Sequence, residues 1–134
     1  MKKENRIKKR KEFNYIFKNG EVFSSRFINL LVTSSWVNRY KVGFSSGKKV
    51  GNAVVRNKVK RRIKEAVYSS RDLLKSKVNY IFVAKSNSSE ASYEEIKNNV
   101  IYLLNKFNEK NDKVKKDKIN EENDKVDLEK SNKD

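Results

Sequence analysis

The stretch "NYIFVAKS", residues 79–86, constrains the fold more than any other part of the chain. It is a nearly continuous apolar run of strand length. Such a run fits a central strand better than a half-exposed one, because both faces need cover. The segments around it supply that cover. "KEFNYIFK" places Phe13, Ile16 and Phe17 at i, i+3 and i+4, a short helix over 11–18 with Gly20 in a suitable closing position. "RFINLLVTSSW" is β-branched and aromatic and reads as a strand, with "KVGFSS" as a second after a turn near Asn38.

The longest helical pattern runs over about 52–72. A last helix opens at Ser92 with Glu95 three residues on, a capping-box pair, and repeats its apolar residues from Tyr93 to Phe107. The order α, β, β, α, β, α predicts an α+β domain, a small sheet with helices packed against it.

Apolar periodicity stops near Phe107. The sequence divides into a domain over 1–107 and a charged tail over 108–134. The tail is expected to be disordered or a frayed helix, since it cannot bury enough apolar area to offset its ordering entropy. The division also sorts the charge. The tail has eight Lys against nine Asp and Glu, whereas the first 107 residues hold 25 basic and 8 acidic groups. A body that basic repels itself unless a polyanion neutralises it. Nucleic acid is the first candidate and an anionic membrane surface the second.

Several classes drop out. The chain has no cysteine and no histidine, which removes disulfides, thiolate-held zinc and the usual general base. The eight carboxylates of the body are scattered, so no catalytic residue is assigned and no metal site is expected in the protein. No apolar run approaches the ~20 residues that span a bilayer, and no apolar segment follows the basic start "MKKENRIKKRKEF" as in a secretory signal. The expectation is a cytoplasmic protein without membrane contact.

The 52–72 helix carries the charge in phase. Val55, Val59, Ile63, Ala66 and Val67 gather on one face; Arg56, Asn57, Lys60, Arg61 and Lys64 are expected on the opposite side, with Lys58 on a flank. The first turns offer no acidic partner at i, i+4 spacing, so this face is suited to an external anion. "SSGKKVGN" precedes it with two glycines and two lysines, at the helix end that favours phosphate. It lacks the G-x-x-x-x-G-K-[ST] spacing of a nucleotide-hydrolysing loop, and a grip on a polyanion backbone fits better. On the first helix, Phe13, Tyr15 and Phe17 flanked by Arg10, Lys11 and Lys18 could serve the core or stack unpaired bases. Trp36 and Tyr40 flank a turn and have no assigned role.

The segment "GFSSGKKVGNAVVRNKVKRRIKEAV" resembles the signature of the bacterial ribonuclease P protein component, approximately G-[LF]-S-V-S-K-K-V-G-N-A-V-x-R-N-R-x-K-R. Gly43, Phe44, Ser45, Lys48, Lys49, Val50, Gly51, Asn52, Ala53, Val54, Arg56, Asn57, Lys60 and Arg61 fall in place. The resemblance covers roughly residues 5–107, including "FKNG" and "YIFVAK". It implies a four-stranded sheet flanked by helices, like the second domain of a ribosomal small-subunit protein, with a left-handed β-α-β crossover around the signature helix. It also implies a role beside a large catalytic RNA that removes the 5′ leader of precursor tRNA with magnesium ions held mainly by the RNA.

Carried over, the helix residues Arg56, Asn57, Lys58, Lys60, Arg61, Arg62 and Lys64 would meet the catalytic RNA. Phe13, Phe17, Lys48, Lys49 and Lys85 would meet the single-stranded leader. Phe13 and Phe17 would then split their rings between core and cleft. The implied partners are the catalytic RNA and precursor tRNA, with no DNA expected and the isolated protein inactive. Three positions depart from the family pattern. Lys58 keeps charge but loses the guanidinium fork of an arginine. Gly47 replaces a serine, and Leu31 falls where some relatives place a cleft tyrosine. Two other readings of the residues are an RNA binder of ribosomal or chaperone type, and a helix–turn–helix DNA regulator. The latter needs a helix just before residue 52, where the sequence reads as strand and loop.

Overall fold

The computed structural model describes the backbone of residues 2–133 and the side chains of residues 2–113. Helix α1 (Arg10–Asn19) leads into strands β1 (Glu21–Ser24), β2 (Ile28–Ser34) and β3 (Lys41–Ser46). Helix α2 (Ala53–Ser69), strand β4 (Val78–Ala84) and helix α3 (Tyr93–Lys133) follow. The strands form one sheet in the order β1-β2-β4-β3. β1 and β4 each pair antiparallel with β2, while β3 lies parallel to β4, its connection passing through α2.

β4 explains the apolar run. Its Tyr80 and Phe82 enter a core with Val59, Ile63 and Val67 of α2 and Ile96, Val100 and Leu103 of α3. Ile81, between them, faces the other way and joins Leu31 and Ile16 beneath α1. Successive side chains of a strand alternate faces, so a strand sandwiched between two helical layers needs apolar residues at every position. Tyr80 buries its ring and its hydroxyl accepts the Lys75 N–H at 2.9 Å. Leu31 is buried in the smaller core, so this position contributes packing under α1 rather than a ring in the cleft.

Strand β1 was not placed by the sequence. It has four residues, and Phe23 alone is even half-buried, so no alternation builds up in the pattern. Gly20 closes α1 with an extended backbone (φ −71°, ψ 148°), not a left-handed one. The expected capping box is present: the Ser92 N–H donates to Glu95 Oε1 at 3.1 Å and the Glu95 N–H to Ser92 Oγ at 3.2 Å. Beyond Phe107, α3 still touches the body. The Asn108 amide donates to the Leu73 carbonyl at 3.0 Å, and Lys110 pairs with Glu21 and lies 5.8 Å over the Phe23 ring. The expectation of a disordered or frayed tail over 108–134 falls mostly outside the residues with described side chains.

Candidate nucleic-acid interface

The start of α2 is set by two residues. Gly51 has φ 152° and ψ −164°, a region that residues with a Cβ rarely enter, and a Cβ there would lie 2.9 Å from Val55 Cγ1. Asn52 follows as the cap, its Oδ1 accepting the Val55 N–H at 3.0 Å. Together they turn the chain sharply into Ala53. Lys48 and Lys49 stand exposed on the short turn just before this helix end. Gly47 has φ −80° and open space where a Cβ would be, so a serine would fit there.

The candidate RNA-binding residues of α2 divide into three groups, where the sequence suggested one ridge. Asn57, Lys58 and Arg61 are exposed. Arg56, Lys60 and Lys64 are half-buried in a row at four-residue steps. Turning 100° per residue from Val59, this row falls about 60° to 140° round the helix, on the flank of the apolar stripe rather than opposite it. Arg62 lies on the other flank, where its guanidinium donates to the Ala91 carbonyl at 3.0 Å and so ties α2 to the entry of α3.

The half-buried row lines a groove. Lys60 and Lys64 share a hollow of about 270 Å³ with Arg6, Lys8, Phe13 and Phe44. Lys60 also borders an adjoining hollow of about 210 Å³ with Ser46, Arg56 and Asn57. Within it, Arg56 Nε and Ser46 Oγ are buried and make no hydrogen bond among the described residues. The Lys64 ammonium sits 5.8 Å over the Phe44 ring. Partial burial, then the charges of Lys60 and Arg6, hold its pKa below the ordinary lysine value. The ion pairs among the described residues are Lys41–Glu12 and Lys110–Glu21, and neither involves α2. The groove is therefore cationic, aromatic-lined and without internal counter-charge.

The second surface lies between α1 and the sheet. Ile16 anchors α1 on Leu31 and Ile81. Phe13 is half-buried against Gly43, where a Cβ would lie 2.7 Å from Phe13 Cζ. Phe17, one turn on, is 46% exposed. The sheet register places two rows beneath them. Val22, Leu31, Ile81 and Gly43 are aligned across the four strands under α1. Ser24, Asn29, Val83 and Ser45 form the next row on the same face, where Ser24 is exposed and the other three are only partly buried. Sequence reading did not single out this small, mostly polar floor. The alternation within β2 and β4 holds the signal, but only a known register aligns the four strands.

Phe13 belongs to both surfaces, since it also lines the groove with Lys60 and Lys64. The α2 flank and the α1 cleft are thus contiguous. Lys85 closes the far end of the open row: its ammonium donates to Ser24 Oγ at 2.9 Å and to the Ser25 carbonyl. Of the twelve residues expected at the interface, Arg62 and Lys85 are engaged within the protein, Phe13, Arg56, Asn57, Lys60 and Lys64 line the two hollows, and Phe17, Lys48, Lys49, Lys58 and Arg61 are exposed.

Among the described residues no three acidic side chains come together to hold an ion. Nor does a helix–turn–helix geometry appear, because α2 is preceded by β3 and a three-residue turn rather than by a helix.

Known proteins share this sequence pattern and this fold. The family model described as Ribonuclease P matches residues 1–108. The ribonuclease P protein component of Bacillus velezensis is 40% identical over 107 residues, covering 79% of this chain and 91% of the relative. That of Clostridium botulinum strain 657 is 39% identical, covering 78% and 95%. The Staphylococcus aureus RNase P protein structure superposes with a TM-score of 0.69 at 28% identity, covering 75% of this chain and 93% of that one. The protein from Thermotoga maritima, 21% identical with a TM-score of 0.68, shares the fold.

Proposed function

The chain belongs to the ribonuclease P protein family, and on that premise we propose that it binds the catalytic RNA along α2 and the single-stranded 5′ leader of precursor tRNA in the α1 cleft. It thereby serves an endoribonuclease that matures the 5′ end of tRNA. The observation that carries this reading is the α2 flank. Arg56, Lys60 and Lys64 line a groove without an ion pair, and it opens onto the aromatic cleft through Phe13. A rigid cationic element positions a sugar-phosphate backbone, while an exposed ring beside it accepts unpaired bases.

In this reading the labour is divided between RNA and protein. The catalytic RNA, with the magnesium ions it would hold, would carry the hydrolysis of the phosphodiester, and this chain supplies position. Asn57, Lys58 and Arg61 face outward for the catalytic RNA. Phe17 and the open part of Phe13 receive leader bases above the Ser24, Asn29, Val83 and Ser45 floor, and Lys48 and Lys49 meet leader phosphates. Lys58, with a compact ammonium, supplies charge without bidentate recognition. The isolated chain cleaves nothing, and its setting is the cytoplasm with precursor tRNA as substrate partner.

Reconstitution tests this. The chain alone should leave precursor tRNA intact, and adding it to its cognate RNA at low magnesium should raise cleavage. It should also tighten precursor tRNA binding relative to mature tRNA. Equal affinity for precursor and mature tRNA with and without the protein would overturn the leader assignment.

A further inference from the structure

The turn between β2 and β3 carries a feature that neither the groove nor the cleft uses. Trp36 is the sole tryptophan of the chain, and its side chain is fully exposed. The turn that presents it is tied down. The Ser35 N–H donates to the Lys77 carbonyl at 2.8 Å and the Lys77 N–H to the Arg39 carbonyl at 3.2 Å. Ser35 Oγ accepts the Val37 N–H at 3.1 Å, and the Arg39 guanidinium donates to the Glu4 carbonyl at 3.0 Å. Lys77 is held at φ 62°, a left-handed conformation unusual for a lysine. The indole thus stands on a fixed backbone, with no part in the core.

The segments beside it are cationic, while Glu21 lines the adjoining hollow with Lys75 and Lys77. Trp36 and Lys77 line one concavity of about 400 Å³ with Ser34 and Ser35. The two segments that meet here, 35–40 and 75–77, contain Arg39, Lys75 and Lys77 and no acidic residue. An apolar protein partner would desolvate these lysines without return, whereas a nucleotide uses the ring and the charge together. The site is at the end of the sheet where β3 begins. The Lys48–Lys49 turn follows the other end of that six-residue strand, about 20 Å away.

We propose that Trp36 and Lys77 form a second RNA contact, the indole stacking on an unpaired base and the Lys77 ammonium meeting its phosphate. This rests on the ribonuclease P reading, and the unpaired nucleotide belongs either to the catalytic RNA or to the precursor.

Because no other tryptophan is present, emission of the full chain reports on this site directly. Trp36 fluorescence should be quenched when the catalytic RNA is added or when precursor tRNA is then added, and the step at which quenching occurs identifies the source. Trp36→Ala should weaken binding of that RNA about tenfold, Trp36→Phe should recover most of the loss, and neither should move the melting temperature. Unchanged emission in a reconstituted particle that cleaves precursor tRNA would overturn the proposal. So would quenching without any affinity loss in Trp36→Ala, or a response to phosphatidylglycerol vesicles and not to RNA. A chain that quenches on structured RNA yet never stimulates cleavage would instead overturn the ribonuclease P reading and leave the stacking site standing.

Discussion

Gly43 and Phe13 occupy one shared space: a Cβ on the β3 glycine would lie 2.7 Å from Cζ of the α1 ring. The absent side chain is what lets Phe13 lie against the sheet and border both the α2 groove and the α1 cleft. Gly43→Ala should therefore lift Phe13, costing about 1–3 kcal/mol of stability and weakening precursor tRNA binding more than mature tRNA binding. Thermal unfolding and the two affinities check this. Adding Phe13→Leu should recover stability but not leader affinity, which separates the packing effect from the stacking one.

Gly51 and Gly47 flank the same short turn but carry different constraints. Gly51→Ala forces a Cβ into a left-handed backbone and against Val55, and should cost roughly 1–3 kcal/mol. Asn52→Ala, which removes the α2 cap, should cost about 1 kcal/mol. Gly47→Ser meets open space and should change stability by about 0.5 kcal/mol or less. Chemical denaturation of the three variants gives the ranking, and a Gly47→Ser as disruptive as Gly51→Ala would contradict it.

Arg61 and Arg62 are neighbours with opposite duties. Arg62→Ala removes the bond to the Ala91 carbonyl and should cost about 1 kcal/mol in unfolding experiments. Arg61→Ala, on the exposed face, should leave the unfolding free energy unchanged and weaken catalytic-RNA binding. The reverse pattern would mean that the outward face has been misassigned.

Alkaline titration should show two opposite contributions. Lys64 has a folded pKa below its ordinary value, from partial burial and the charges of Lys60 and Arg6. Below that pKa its charge disfavours the folded state, and the penalty is relieved as pH rises towards the unfolded lysine value. Lys64→Met should accordingly raise the melting temperature of the free protein at neutral pH while weakening RNA binding. Tyr80 behaves oppositely. Burial pushes its hydroxyl up to about 12 against an ordinary value of 10.0, so its contribution is present below pH 10.0 and is lost as pH rises through about 12. Unfolding curves of Tyr80→Phe should lack that loss.

Much of this architecture is legible in the chain. β4 is apolar at alternate positions for two different cores, and the apolar period from Val55 to Val67 marks α2. The Ser92–Glu95 capping box marks the entry of α3. Each signal is local: a period or a cap. What the sequence left out is relational. β1 has too few inward residues to announce itself, and the Ser24–Asn29–Val83–Ser45 row exists only once four strands are in register. The split of the α2 cations depends on how far the helix is rolled against β3. Neither the Arg62 bond to Ala91 nor the Lys85 latch to Ser24 leaves any trace in residue spacing.

The central claim is that the cations of α2 seat the catalytic RNA, and the salt dependence of that association tests it most directly. Binding of the cognate RNA should be measured across a potassium chloride series for the wild-type chain and for Arg56→Ala/Arg61→Ala. Loss of two phosphate contacts should weaken binding and make the slope of log K against log salt shallower by about two. The same slope and affinity in both proteins, with both folded, would place the catalytic RNA elsewhere on the molecule.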